Sequence, residues 1–98
     1  MPRIVITYCT QCRWLHRAQW YAAELLETFA AELTEAGGEV ALHPSTGGVF
    51  RVDVDLGGAT HHVWNRKCDG GFPEITELKR RVRDLMAPGK SLGHSDRV

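Results

Sequence analysis

The sequence predicts one α/β domain whose elements run β-α-β-β-β-α, with a four-stranded mixed sheet and both helices packed against it. Three observations carry that reading. Apolar residues recur every three or four positions in two stretches, a β-branched run stands directly before the first of them, and a strictly alternating segment is joined through Gly57-Gly58 to a second extended run. At 98 residues the chain has the length of a single domain. Such a chain buries roughly two thirds of its unfolded surface, so its core needs neither disulfide nor metal.

The first strand is Arg3-Ile4-Val5-Ile6-Thr7-Tyr8, rich in β-branched residues and without clean alternation, which suits a strand covered on both faces. After Cys9-Thr10-Gln11-Cys12 the period changes. Leu15, Ala18, Ala22, Leu25, Leu26, Phe29 and Leu33 form the apolar stripe of a helix expected from about Gln11 to Ala36, roughly 39 Å long, capped by Thr10 or Cys9 and stopped by Gly37-Gly38. Glu39 to His43 is a short strand, and strand, helix, strand reads as a right-handed βαβ unit with parallel strands. A turn-rich segment, Pro44 to Gly48, follows. Phe50, Val52, Val54 and Leu56 then alternate with Arg51, Asp53 and Asp55 as a half-buried strand. Gly57-Gly58 supplies a two-residue turn with positive φ, and Thr60 to Asn65 returns antiparallel. Ile75, Leu78, Val82 and Leu85 mark a last helix opened by Pro73 and closed before Pro88-Gly89. The domain is expected over residues 1–88, with 89–98 a loose tail.

Twelve basic and twelve acidic side chains leave no net charge, so neither nucleic acid nor an anionic membrane is an expected partner. The balance is uneven, however: residues 1–65 carry 4 basic and 7 acidic groups, residues 66–98 carry 8 and 5. No stretch reaches the roughly 18 apolar residues of a spanning helix, and the opening Met1-Pro2-Arg3-Ile4 runs straight into a strand without a secretory leader. A cytoplasmic protein is expected. In a reducing cytosol three cysteines at 9, 12 and 68 do not make a disulfide framework, and a close pair points to redox or metal chemistry.

Cys9 and Cys12 are the candidate catalytic residues. At the junction of a buried strand and a helix N-terminus, unpaired N–H groups and the macrodipole favour a thiolate. Two intervening residues let the sulfurs meet and cycle between dithiol and disulfide through a mixed disulfide. The strand-to-helix loop is expected to put the first sulfur at the surface, within reach of protein thiols or glutathione. No bound cofactor is expected, with glutathione as a co-substrate. The bland reading, two small packing residues, is disfavoured because CxxC at the first βα turn is the thioredoxin-type arrangement.

Zinc is the competing chemistry, with Cys9, Cys12, His16 and either Cys68 or one of His61 and His62 as ligands. The second half of the chain offers no matching CxxC or HxxxH, so no metal site is assigned. His16 reads as a partly exposed helix residue four positions after Cys12, able at most to tune the thiols. His61 and His62 must face opposite sides of their strand. Cys68 reads as a bystander, with Arg66 and Lys67 nearby leaving glutathionylation open. Gly70-Gly71 serve a tight turn, and Lys79, Arg80, Arg81 and Arg83 a solvated helix face.

Cys-x-x-Cys after Ile-Val-Ile-Thr-Tyr, Thr46-Gly47-Gly48-Val49-Phe50, and Trp64-Asn65-Arg66-Lys67 followed by Gly70-Gly71-Phe72-Pro73-Glu74 together resemble the selenoprotein W/T/H (Rdx) family, in its bacterial cysteine-containing branch. The resemblance implies a thioredoxin-like fold and thiol oxidoreductase or redox-signalling roles, often linked to glutathione. The family's selenocysteine falls at Cys12 and its accompanying cysteine at Cys9. Thioredoxin logic makes the first cysteine the attacking one, whereas the selenocysteine position suggests Cys12, and the sequence leaves both open. Unlike thioredoxin, the chain has no Trp-Cys-Gly-Pro-Cys motif and no helix between its second and third strands, and Pro44 is not expected to act as a cis-proline.

The leading functional expectation is therefore a thiol-disulfide oxidoreductase, probed by its dependence on Cys9 and Cys12. The alternatives are a redox-gated protein-binding module without turnover and, behind it, a zinc-binding adaptor.

Overall fold

The computed structural model of the chain describes residues 1–93. Its elements are β1 (Arg3–Cys9), α1 (Leu15–Thr28), α2 (Ala30–Ala36), β2 (Glu39–Ser45), β3 (Phe50–Leu56), β4 (Ala59–Asn65), α3 (Arg66–Asp69) and α4 (Ile75–Met86). The strands form one sheet in the order β2-β1-β3-β4. β1 runs parallel to β2 and antiparallel to β3, which is antiparallel to β4. This is the expected mixed sheet of a thioredoxin-like fold, with the central β1 ending at Cys9.

The helices cover one face only. Ile4, Ile6 and Tyr8 of β1 pair with Val54, Val52 and Phe50 of β3, and these six pack with Ala18, Leu25, Phe29, Leu78 and Val82 into a single core. Burying a side chain such as Leu25 or Phe50 stabilises the fold by roughly 1.5–3 kcal/mol. On the opposite face, Val5 pairs with Asp53 and Thr7 with Arg51. There Asp53, nearly buried, accepts from Arg51 Nε at 2.8 Å and from the His62 ring at 2.6 Å. β1 lacks alternation because side chains, not helices, shield its second face.

The single long helix expected from Gln11 to Ala36 is three pieces. Residues 10–13 form a turn, α1 starts at Leu15, and the helix breaks at Phe29 (φ −109°, ψ 23°). Phe29 is fully buried, and its N–H and carbonyl still bond Leu25 and Leu33 at 3.0 and 2.9 Å. The i, i+4 spacing of Leu25, Phe29 and Leu33 thus survives the break, which hides it from periodicity. Trp14 occupies the N-cap position without a side-chain cap, and Thr10 bonds the Ser45 carbonyl instead. Gly37 closes α2 at φ 67°, as expected from its place in the sequence, and a Cβ at Gly38 would lie 2.5 Å from the Pro2 carbonyl.

β2 extends two residues further than expected, through Pro44 to Ser45, because as an edge strand it tolerates a proline. α4 begins at Ile75, two residues beyond Pro73, with Glu74 as its cap residue. Its cations are more engaged than a solvated face: Lys79 Nζ reaches Glu24 of α1 at 3.0 Å and Arg81 Nη1 reaches the Val63 carbonyl at 3.0 Å. Of the expected loose tail, Lys90 pairs with Glu32 at 3.0 Å and Leu92 packs against the core, while residues 94–98 lie outside the described part. Among the described residues no helix is long and apolar enough to cross a membrane.

Candidate active site

Cys9 is the last residue of β1 and is only 1% exposed, whereas Cys12 is exposed. This reverses the expectation that the first sulfur is the accessible one. The chain folds back on itself after the strand. Thr10 N–H bonds the Ser45 carbonyl at 2.9 Å, Arg13 N–H bonds the Thr10 carbonyl at 3.0 Å, and Trp14 N–H reaches the Cys9 carbonyl at 3.4 Å. Arg13 completes the reversal at φ 59°, the left-handed region, where a non-glycine residue costs about 1–2 kcal/mol. The strained residue therefore adjoins Cys12, and the turn brings the outer sulfur over the inner one.

The two thiols act as a pair. Hydrogen bonding from the Cys12 thiol is the largest influence holding Cys9 below the ordinary thiol value of 9.0. Burial opposes it, and the backbone N–H groups of Gly48, Cys12 and Gln11 reinforce it. Cys12 is pushed above that value, first by its hydrogen bond to Cys9, then by desolvation and by the charge on Cys9, with Gly48 N–H and the Arg66 cation pulling the other way. The first proton thus leaves the pair easily and the second with difficulty, one proton bridging two sulfurs. The donors differ from those expected. α1 begins three residues after Cys12, and the N–H groups that favour the anion come from the turn itself and from the loop between β2 and β3.

That second loop is held in place. Gly47 and Gly48 take φ of 80° and 72°, a turn with positive φ at both positions, and Lys67 Nζ donates to the Gly47 carbonyl at 2.8 Å. The Gly47 carbonyl and the Gly48 N–H belong to one peptide unit, so an ammonium on the oxygen polarises the N–H that faces the sulfurs. Lys67 is brought there by α3, capped by Asn65, whose side chain accepts from Lys67 N–H at 3.0 Å.

Beside the cysteines stands an aromatic platform. Trp14 meets Phe72 edge-on with centroids 4.9 Å apart, and Phe72 meets Phe50 at 5.1 Å. Trp64 Nε1 fixes the Gly71 carbonyl at 2.8 Å, and the buried Tyr21 hydroxyl donates to the Pro73 carbonyl, so both sides of Phe72 are tied down. Arg17 lies 4.1 Å from the centre of the Phe72 ring and Arg66 4.9 Å from that of Trp14.

The other sequence candidates stay apart from this pair. Cys68 is exposed on α3 and lines a different surface with Trp64, Asp69 and Arg81. Arg66 and Lys67, expected near Cys68, turn toward Trp14 and Gly47 instead. His16 borders the clefts beside the loop with Arg13, but it is not among the groups acting on either sulfur. Pro44 is the register partner of Tyr8 in the edge strand, and its peptide bond is trans. Among the described residues no three His, Cys, Asp or Glu side chains converge as a metal ion requires. Sequence reading missed Lys67 and the Trp14–Phe72 pair, although the flanking Thr-Gly-Gly and Trp-Asn-Arg-Lys segments were the available signal.

A family model described as the Rdx family matches residues 3–84. A protein of Bordetella parapertussis with a known crystal structure is 58% identical, with 86% of this chain and 96% of that one covered and a TM-score of 0.71. A selenoprotein W-related protein of Vibrio cholerae, also a crystal structure, is 47% identical, covering 87% of this chain and 96% of its own, again with a TM-score of 0.71. No curated protein matches the chain.

Proposed function

This chain belongs to the Rdx family, a membership that points to a redox-related role, and from it and the thiol geometry we propose a thiol-disulfide oxidoreductase in which Cys12 makes and Cys9 resolves the mixed disulfide. The observation that carries the reading is the asymmetry of the pair: an exposed Cys12 against a buried, acidified Cys9 faced by backbone N–H groups.

In the reduced protein the anion rests on Cys9 and the proton on Cys12. As a partner disulfide approaches, the Cys9 thiolate takes the Cys12 proton while the Cys12 sulfur attacks. A bond forms from Cys12 to one partner sulfur, and the partner's own S–S bond breaks, releasing a thiolate that solvent protonates. Cys9 then loses its proton, helped by the Gly48, Cys12 and Gln11 N–H groups, and attacks the Cys12 sulfur. The Cys9–Cys12 disulfide forms and the second partner thiol leaves. Two electrons have passed from the dithiol to the partner, and a reducing thiol such as glutathione, running the same steps backwards, restores the starting state. The buried position of Cys9 limits its attack to the neighbouring sulfur, which supports giving Cys12 the attacking role and Cys9 the resolving one.

The test is reduction of a small disulfide with glutathione as electron source, comparing wild type with Cys9→Ser and Cys12→Ser. The proposal expects Cys12→Ser to lose exchange altogether, and Cys9→Ser, mixed with the disulfide before glutathione is added, to trap a mixed disulfide on Cys12. Unchanged turnover in Cys12→Ser would overturn it.

A further inference from the structure

Most described lysines and arginines sit in ion pairs, as Arg3 does with Glu39, Lys79 with Glu24 and Arg80 with Glu77. Four do not meet a carboxylate among the described residues: Arg13, Arg17, Arg66 and Lys67. Arg13 and Arg66 adjoin Cys12 in the chain and in space, and Arg17 and Lys67 join them through the Phe72 ring and the Gly47 carbonyl. Arg13 follows Cys12 directly, Arg66 acts on its charge through space, Arg17 and Arg66 lie on the Phe72 and Trp14 rings, and Lys67 holds the Gly47 carbonyl. The nearby acids are already used. Asp69 accepts from Asn65 N–H at 2.8 Å, and Glu74 accepts from Thr76 at 2.7 Å.

In a chain of zero net charge, four cations near one reactive thiol and without a carboxylate partner among the described residues suit an anionic ligand. Arg17 also donates a hydrogen bond to the Tyr21 hydroxyl, and contact with an aromatic ring holds a guanidinium in place while leaving its remaining N–H groups for a carboxylate. The cations come from two segments of the chain, Arg13 and Arg17 from the turn and helix that follow Cys12 and Arg66 and Lys67 from α3. On the α1 side the groove lined by Arg13, Trp14, Arg17 and Tyr21 continues to Trp20, which is 51% exposed.

Building on the exchange reaction above, we propose that the partner is a protein whose reactive cysteine lies in an acidic segment, with carboxylates on both sides of the cysteine docking on these cations. A peptide that continues past its cysteine in both directions can meet the cations of both segments together, whereas a tripeptide thiol offers carboxylates at its two ends only.

The experiment measures the rate at which the reduced protein reduces three peptide disulfides that share one cysteine and differ only in flanking residues, Glu, Gln or Lys, with glutathione disulfide alongside. The acidic peptide is expected to react about tenfold faster than the basic one at low salt, the gap closing to about twofold near 0.5 M salt as screening shortens the field. Arg17→Glu is expected to shrink the ratio of acidic to neutral rates, and Arg17→Gln to shrink it less. Equal rates for all three peptides would overturn the charge preference alone. Glutathione disulfide outrunning the acidic peptide would overturn the assignment to a protein segment. No exchange with any peptide would remove the redox reading as well.

Discussion

Replacing Gly48 by alanine separates its role at the thiols from its role in the turn. The backbone there has φ 72°, and an added Cβ meets nothing within 4 Å, so the substitution creates no clash and the whole cost is conformational. An alanine in the left-handed region costs about 1 kcal/mol or somewhat more. For a domain of this size that lowers Tm by about 4–8 °C. The strain is expected to be relieved by rotation of the Gly47–Gly48 peptide, which would swing the Gly48 N–H away from the sulfurs and loosen the Lys67 contact. Gly58 is the matched control, with φ 84° and equally open space, but in the β3–β4 turn remote from the cysteines. Both variants are expected to lose similar stability in a thermal melt followed by circular dichroism. Only Gly48→Ala is expected to raise the first midpoint of the ultraviolet thiolate titration toward the ordinary thiol value. Superimposable thiol titrations of the two variants would refute the role given to the Gly48 N–H, and an unchanged Tm in both would refute the strain argument.

Three further outcomes follow from the geometry. A bulky maleimide should modify the exposed Cys12 and Cys68 in the reduced protein and leave Cys9 unmodified until the chain unfolds, as read by peptide mass mapping; labelling of Cys9 in the folded protein would contradict its burial. Tyr21→Phe should cost about 1–3 kcal/mol in urea unfolding because the Pro73 carbonyl loses its donor inside the protein, and a loss below about 0.5 kcal/mol would show that another group takes its place. The thiols also set a pH dependence of stability. Cys9, lowered in the folded state, adds stability as pH rises from its folded value to 9.0, and Cys12, raised, withdraws stability above 9.0. The stability difference between reduced wild type and the Cys9→Ser/Cys12→Ser double variant should therefore peak near 9.0, and a flat difference would contradict the shared proton.

Most of the fold was legible because it rests on local patterns. The alternation of Phe50, Val52 and Val54, the glycines at 57–58 and the stop at Gly37 each report a backbone requirement of their own neighbourhood. The break at Phe29 was illegible since the core accepts Leu25, Phe29 and Leu33 at the same spacing on either side of it. At the site, the CxxC spacing revealed the pair but not which sulfur is covered. That depends on Gly48 and Lys67, residues 36 and 55 positions beyond Cys12, and on a left-handed Arg13 that no propensity favours. α3 escaped notice because four residues, Arg66–Asp69, are too few to show a period.

Whether Cys9 and Cys12 cycle as a pair is decided by intact-mass analysis of the protein equilibrated across a series of glutathione redox ratios, with peptide mapping at each. The expected result is a species two hydrogens lighter whose link joins Cys9 to Cys12, forming reversibly and absent in Cys9→Ser, with glutathione on Cys12 accumulating only in that variant. Cys9 remaining a free thiol at every ratio, while Cys12 and Cys68 simply acquire glutathione, would contradict it.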